Sequence, residues 1–90
     1  MNLFSKKRHD KVIVVGCGVI GVKLAAMFDA QYDDISIIDI NENSFSGLPR
    51  SSNFSLIAGD AADTEVLEFA GIKSADIIIA VTNKILSISL

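Results

Sequence analysis

Apolar runs alternate with amphipathic segments along the chain, and that rhythm predicts the order β-α-β-α-β-α-β. Val12 to Val15 are all β-branched, stiff at χ1, and suit a strand buried on both faces of a parallel sheet. Past a glycine-rich break, Ile20, Leu24, Met27 and Phe28 recur at i, i+4, i+7 and i+8. This spacing predicts a helix from about Ile20 to Ala30 with that stripe against the sheet. Gln31 to Asp34 reads as a polar turn, and Ile35 to Asp39 as the second strand. Asn41 to Leu48 predicts a weak helix. Asn41 can cap it, Phe45 and Leu48 can face the sheet, and Gly47 and Pro49 interrupt it early. Phe54 to Ala58 is the third strand. Asp63 then caps a short helix whose buried side is Val66, Leu67, Phe69 and Ala70, and Gly71 stops it. Ile77 to Val81 shows no alternation and is predicted to be a fourth strand buried on both faces.

Right-handed crossovers, with a change of helix face after the third strand, give the sheet order 3-2-1-4. The expected fold is α/β, a Rossmann-like doubly wound parallel sheet, truncated after strand 4. Its switch point lies between strands 1 and 4, where ligands collect at the carboxyl ends of strands. Asp39, Gly59-Asp60 and Thr82-Asn83 all fall at such ends.

The break between the first strand and helix is Gly16-Cys17-Gly18-Val19-Ile20-Gly21, a G-x-G-x-x-G loop. Gly16 permits a tight turn, Gly18 a close backbone approach to a pyrophosphate, and Gly21 close packing of helix on sheet. The N–H groups and dipole of the helix start favour a phosphate there. Asp39 follows at the spacing of an acid that holds an adenosine ribose. The same residues also make a tight βα turn with a capping carboxylate, so each has a structural reading beside the functional one. Cys17 reads as a small filler beside the ligand.

Ninety residues, half of them hydrophobic and 21% charged, make one small globular domain. A net charge of −3 argues against a nucleic-acid surface. The basic cluster Lys6 to His9 reads as a solvated lead-in. No apolar run reaches the length of a membrane span, and no secretory signal pattern is evident. The single cysteine fits a reducing cytoplasm. Neither a catalytic nor a metal-ligating group is expected. The organisation expected is a polar lead-in over 1–11, a nucleotide-binding domain over 12–83 and an atypical tail over 84–90.

With these residues in place, Lys11 to Asn83 resembles the N-terminal nucleotide-binding domain of Trk/Ktr-type potassium-uptake regulators, the RCK or TrkA-N domain. The resemblance is carried by VIVVGCGVIG, by ISIIDIN, and most specifically by LIAGDAADTEVLEFAGIKSADIIIAVTN. It implies a cytoplasmic domain that binds NAD(H), or alternatively ATP, ADP or AMP, and assembles as a homo-oligomer beneath a potassium transporter or channel. By position, the resemblance implies that Gly16, Gly18, Val19, Ile20 and Gly21 meet the phosphates. Asp39, with Ile40 beside it, would hold the ribose, and Asp60 and Ala61 would border the adenine. Thr82 and Asn83 would face the second half of a dinucleotide. Two departures stand out. Val19 occupies a position where the family often carries arginine, and Lys84 to Leu90 replaces the family's further helix and strands.

The function expected is therefore a non-catalytic ligand sensor of potassium transport. The alternative is the N-terminal half of an NAD-dependent oxidoreductase or epimerase, which would need groups to orient a substrate and move its proton. The only histidine, His9, stands in the lead-in. In the tail, Leu86, Ile88 and Leu90 alternate with serines, so strand and helix compete there. Pairing of Ile85 to Leu90 and strand 4 at a dimer contact is the expectation for that segment.

Overall fold

The computed structural model describes residues 8–81. Within them, four strands form one parallel sheet of order β3-β2-β1-β4: β1 Arg8–Val15, β2 Tyr32–Asp39, β3 Phe54–Ala58 and β4 Ile77–Ala80. Helix α1, Val19–Asp29, crosses from β1 to β2 on one face, and α2, Thr64–Ala70, lies on the other. This is the predicted doubly wound order. Thr82, Asn83 and the tail contact expected at Ile85 to Leu90 lie outside the described residues.

The core forms because the two central strands are apolar on both sides. Val12, Val14, Ile35 and Ile37 point to the α1 face, joined by Ala25 and Tyr32. Ile13, Val15 and Ile38 point to the α2 face, joined by Ile57, Leu67 and Ala70. Full burial of one such aliphatic side chain contributes about 1.5–3 kcal/mol. Ser36 is the polar exception on the α2 face, and its hydroxyl donates to the Ala70 carbonyl at 3.2 Å, which ties the end of α2 to the sheet.

Several local expectations change. Of the expected stripe Ile20, Leu24, Met27 and Phe28, Phe28 does pack against the sheet-side core, but Ile20 is 66% and Met27 62% exposed. The buried positions are Gly21 and Ala25, with Val22 and Phe28 partly covered. Two small residues let the helix axis come close to the sheet, and Ile20 and Met27 are turned aside. Phe69 is 82% exposed, because it lies 200° round the helix from the buried Leu67. β4 is also not buried on both faces. Ile77 packs with the α1 side, whereas Ile78 and Ala80 are exposed, beyond the α2-side cluster that covers Ile13, Val15 and Ile38.

The polar turn expected at Gln31 to Asp34 is shorter than predicted, since Tyr32 already belongs to β2. Tyr32 is buried edge-on against Phe28, with ring centres 5.7 Å apart. The two aspartates that made the segment look like a turn pair across to β1 instead: Lys11 Nζ lies 3.1 Å from Asp34, and His9 pairs with Asp33. β1 correspondingly begins at Arg8, inside the expected lead-in. The weak helix after β2 is a 3-10 turn, Glu42–Gly47, capped by Asn41, whose side chain accepts the Asn43 N–H at 3.0 Å. Phe45 and Leu48 do face the sheet. Asp63 caps α2 by accepting the Glu65 N–H, and Gly71 ends it at φ 92°, a left-handed position that favours glycine.

Candidate functional site

The carboxyl ends of the strands enclose a cleft of about 750 Å³. Its floor and one side are the glycine loop. Gly16 takes φ 96°, the second left-handed position among the described residues, and turns the chain from β1 into α1. Its own N–H donates to the Ile38 carbonyl at 2.7 Å, holding the turn against β2. The other two glycines differ in what constrains them. A Cβ on Gly21 would lie 2.4 Å from the Gly16 carbonyl oxygen, so the fold itself excludes a side chain there. A Cβ on Gly18 would meet no protein atom within 4 Å. Gly18 is therefore free of steric demand from the described chain and faces open space.

Gly18 is also the N-cap of α1, with no side-chain cap and no acid in the first turn. By helix geometry the N–H groups of Val19, Ile20 and Gly21 have no carbonyl partner in a preceding turn. They present donors and the positive end of the helix dipole to the cleft.

Asp39 stands at the end of β2 and is half-buried. One carboxylate oxygen accepts the Cys17 N–H at 2.7 Å and the other the Asn41 N–H at 2.9 Å. The acid so links the glycine loop to the end of β2 while each oxygen keeps a further lone pair. Cys17 is 1% exposed, and burial, followed by the Asp39 charge, pushes its thiol pKa up from 9.0. It is the small buried filler that the sequence suggests, held neutral.

The third side comes from the end of β3. Gly59 donates its N–H to the Asp39 carbonyl at 2.9 Å, and a Cβ on it would press on Val66 at 3.0 Å. Asp60 is exposed and accepts the Ala62 N–H at 2.8 Å, as an acid in a turn does. Ala61 is buried beneath it.

All the predicted site residues that fall among the described ones line this single cleft: Gly16, Gly18, Val19, Ile20 and Gly21 on one side, Asp39 and Ile40 at the centre, Asp60 and Ala61 opposite. Sequence reasoning missed Ser44 and Ala62. Ser44 reaches the cleft because the Asn41-capped 3-10 turn folds back over the end of β2, a geometry the weak helix pattern did not reveal. Val19, Ile20 and Ile40 form an exposed aliphatic rim. Among the described residues, no group of three or more His, Cys, Asp or Glu side chains could hold a metal ion, and no helix is long and apolar enough to cross a membrane.

A doubly wound sheet with a glycine loop and an acid meeting at the switch point defines a Rossmann-like domain with a ligand cleft at the strand ends. Residues 12–88 match the TrkA-N domain family, and the chain belongs to it. It is 36% identical over 73 residues to the Trk system potassium uptake protein TrkA homolog of Pyrococcus abyssi, covering 81% of this chain and 32% of that protein. It is 34% identical over 73 residues to the Trk system potassium uptake protein TrkA of Vibrio alginolyticus, covering 81% of this chain and 16% of that protein. The chain thus spans a third or less of the length of these relatives. Among solved structures, Epimerase Mth375 from Methanothermobacter thermautotrophicus superposes with a TM-score of 0.70 at 23% identity, over 84% of this chain and 24% of that one. That likeness is one of fold.

Proposed function

We propose that this chain is a ligand-sensing domain of a potassium uptake system or channel, binding NAD(H) or another adenine nucleotide in the strand-end cleft without chemistry of its own. The observation that carries this reading is the convergence of an open Gly18, the free N–H groups of α1 and the Asp39 carboxylate on one cleft in a TrkA-N chain. The first turn of α1 would take the phosphates, Asp39 the ribose hydroxyls, and Asp60 and Ala61 the edge of the adenine. Thr82 and Asn83, outside the described residues, keep their assignment to the second half of a dinucleotide on sequence alone. NAD(H), when bound, would supply a ligand whose charge changes with its oxidation state.

A ligand with different affinity for two conformations shifts their populations, and a membrane partner can read the shift. The domain would work in the cytoplasm, at the inner face of the membrane through that partner. β4 is an edge strand among the described residues, and its exposed Ile78 and Ala80 favour self-association there.

The fold likeness to an epimerase raises the enzymatic alternative. Acid-base chemistry needs a free titratable group at the cleft. Of the lining residues, Asp39 and Asp60 hold the loops through backbone N–H groups, with Asp39 assigned to the ribose, and the Cys17 thiol is held neutral. His9 pairs with Asp33 at the opposite ends of the strands. The test is calorimetric titration of NADH, NAD, ATP, ADP and AMP, alongside co-purification with a potassium-transport membrane subunit. Binding without turnover supports the sensor. Steady oxidation of NADH with a small carbonyl compound contradicts it.

A further inference from the structure

Away from the cleft, the outer edge of β3 is open. Among the described residues β3 ends the sheet on that side and pairs only with β2, in an unbroken register from Phe54 opposite Ile35 to Ala58 opposite Asp39. Two hydrogen bonds at its ends fix which backbone groups point outward. The Asn53 carbonyl accepts from the Ile35 N–H, and the Gly59 N–H donates to the Asp39 carbonyl, so the odd-numbered residues face β2. Polar groups alternate in side along a strand, which turns the N–H and C=O of Leu56 and Ala58, and the C=O of Phe54, to the free edge. The five strand residues include no charge and no proline, the devices that usually protect such an edge.

Beside this edge lies a groove of about 570 Å³, lined chiefly by Phe45, Leu48, Pro49, Arg50, Phe54 and Leu56. Leu56 belongs to both features: its side chain, 48% exposed, lines the groove while its backbone faces the edge. The loop that leads into β3 is tied down, because the Ser51 hydroxyl and the Asn53 side-chain amide both donate to Asp29 at the end of α1. The recess therefore exists before anything enters it. Its charge has one sign. Arg50 is exposed and takes part in none of the ion pairs among the described residues. No lining residue is acidic, although the chain as a whole carries a net charge of −3.

We propose that the β3 edge and its groove dock an extended, acidic segment of a partner protein. The segment adds a strand to the sheet, sets an apolar side chain among Phe45, Leu48, Phe54 and Leu56, and brings a carboxylate to Arg50. Main-chain hydrogen bonds and apolar burial supply the affinity, and Arg50 selects for the acid. The partner is a different protein, since a second copy paired through the same five residues brings Arg50 no acid from that strand. Docking there does not depend on what the strand-end cleft binds, because the two sites share no lining residue.

The experiment is selection of a phage-displayed library of random peptides, each about ten residues long, on the full chain, followed by anisotropy titration of the enriched peptide after labelling. The titration is repeated on Arg50→Glu, on Leu56→Ser and on Ile78→Ser at the opposite edge, with a urea midpoint for each variant. The enriched sequences alternate apolar and polar residues and carry Asp or Glu near one end. Arg50→Glu weakens the peptide at least about fivefold, and exchanging the peptide's acid for lysine restores its binding. Leu56→Ser weakens it at least about tenfold, and Ile78→Ser leaves it unchanged. Methylation of one alternate set of peptide nitrogens removes binding and methylation of the other set does not, as strand addition requires. The Arg50 exchange and the methylated peptides leave the apolar lining intact, so they decide the matter if Leu56→Ser unfolds. Enrichment no greater than on an unrelated acidic protein, or binding that survives Arg50→Glu and both methylations, overturns the docking site. So does a dimer of the chain, seen by sedimentation, that Leu56→Ser disperses, since a second copy then fills the edge.

Discussion

The carboxylate of Asp39 accepts the backbone N–H of Cys17 at 2.7 Å, so the acid at the end of β2 holds the glycine loop at the end of β1. One residue therefore has two tasks, to keep the loop in shape and to offer its remaining lone pairs to a ribose. Hydrogen bonds to charged groups contribute about 1.5–3 kcal/mol each. Asp39→Ala should weaken NADH binding by at least about fivefold, through the lost ribose contact and the loosened loop together. In the unsubstituted domain NADPH should bind more weakly than NADH, since its 2′-phosphate would face the carboxylate. Calorimetry checks both, and equal affinities for the two cofactors contradict the assignment.

The two glycines after Gly16 separate folding from binding. Gly21→Ala forces a methyl to 2.4 Å from the Gly16 carbonyl and should destabilise the domain by about 1–3 kcal/mol, read as a lower urea midpoint. Gly18→Ala meets no protein atom within 4 Å and should change stability by less than about 1 kcal/mol, the cost of alanine at an N-cap. It should nonetheless weaken nucleotide binding, because the added methyl occupies the space a phosphate needs. If both variants lose stability equally, Gly18 is not reserved for a ligand.

On α2 the contrast is between Leu67 and Phe69. Leu67 is buried against the sheet and Phe69 is exposed. Leu67→Ala should cost about 2–5 kcal/mol, a large part of the stability of so small a domain. Phe69→Ala should stay within about 0.5 kcal/mol. Chemical denaturation of the two variants distinguishes this orientation from one with Phe69 in the core.

Cys17 links the site to alkaline stability. Its thiol pKa is raised in the folded state above 9.0, first by burial and then by the Asp39 charge. The protonated thiol is what the fold accommodates, so its contribution is fully present below the unfolded pKa and is lost as pH rises through the folded one. The unfolding midpoint should therefore fall above about pH 9 more steeply in the unsubstituted chain than in Cys17→Ala. The difference between the two proteins removes the contribution of the other groups that titrate there. Parallel curves contradict a buried neutral thiol.

The strand order and the convergence of Gly16 to Gly21 with Asp39 were legible because both follow from local rules: β-branched runs make buried parallel strands, and a βα turn needs its glycines. Side-chain orientation was less so. The apolar stripe Ile20, Leu24, Met27 has good helical spacing, yet the small residues Gly21 and Ala25 decide which face approaches the sheet. The hydrophobicity of Phe69 points it inward, yet it cannot share a face with Leu67 and is exposed. Asp33 and Asp34 looked like turn residues because their partners, His9 and Lys11, are distant in sequence. Ile78 counted as buried from its apolar run, whereas it lies beyond the α2-side cluster.

The central claim is that the strand-end cleft is a nucleotide site. It is tested most directly by following the backbone amide resonances of the labelled domain as NADH is added. The account predicts the largest shifts at Gly16, Gly18, Val19, Asp39 and Asp60, with little change along the groove of Phe45, Leu48 and Phe54 at the β3 edge. Shifts concentrated in that groove, or none at saturating NADH and adenine nucleotides, would contradict it.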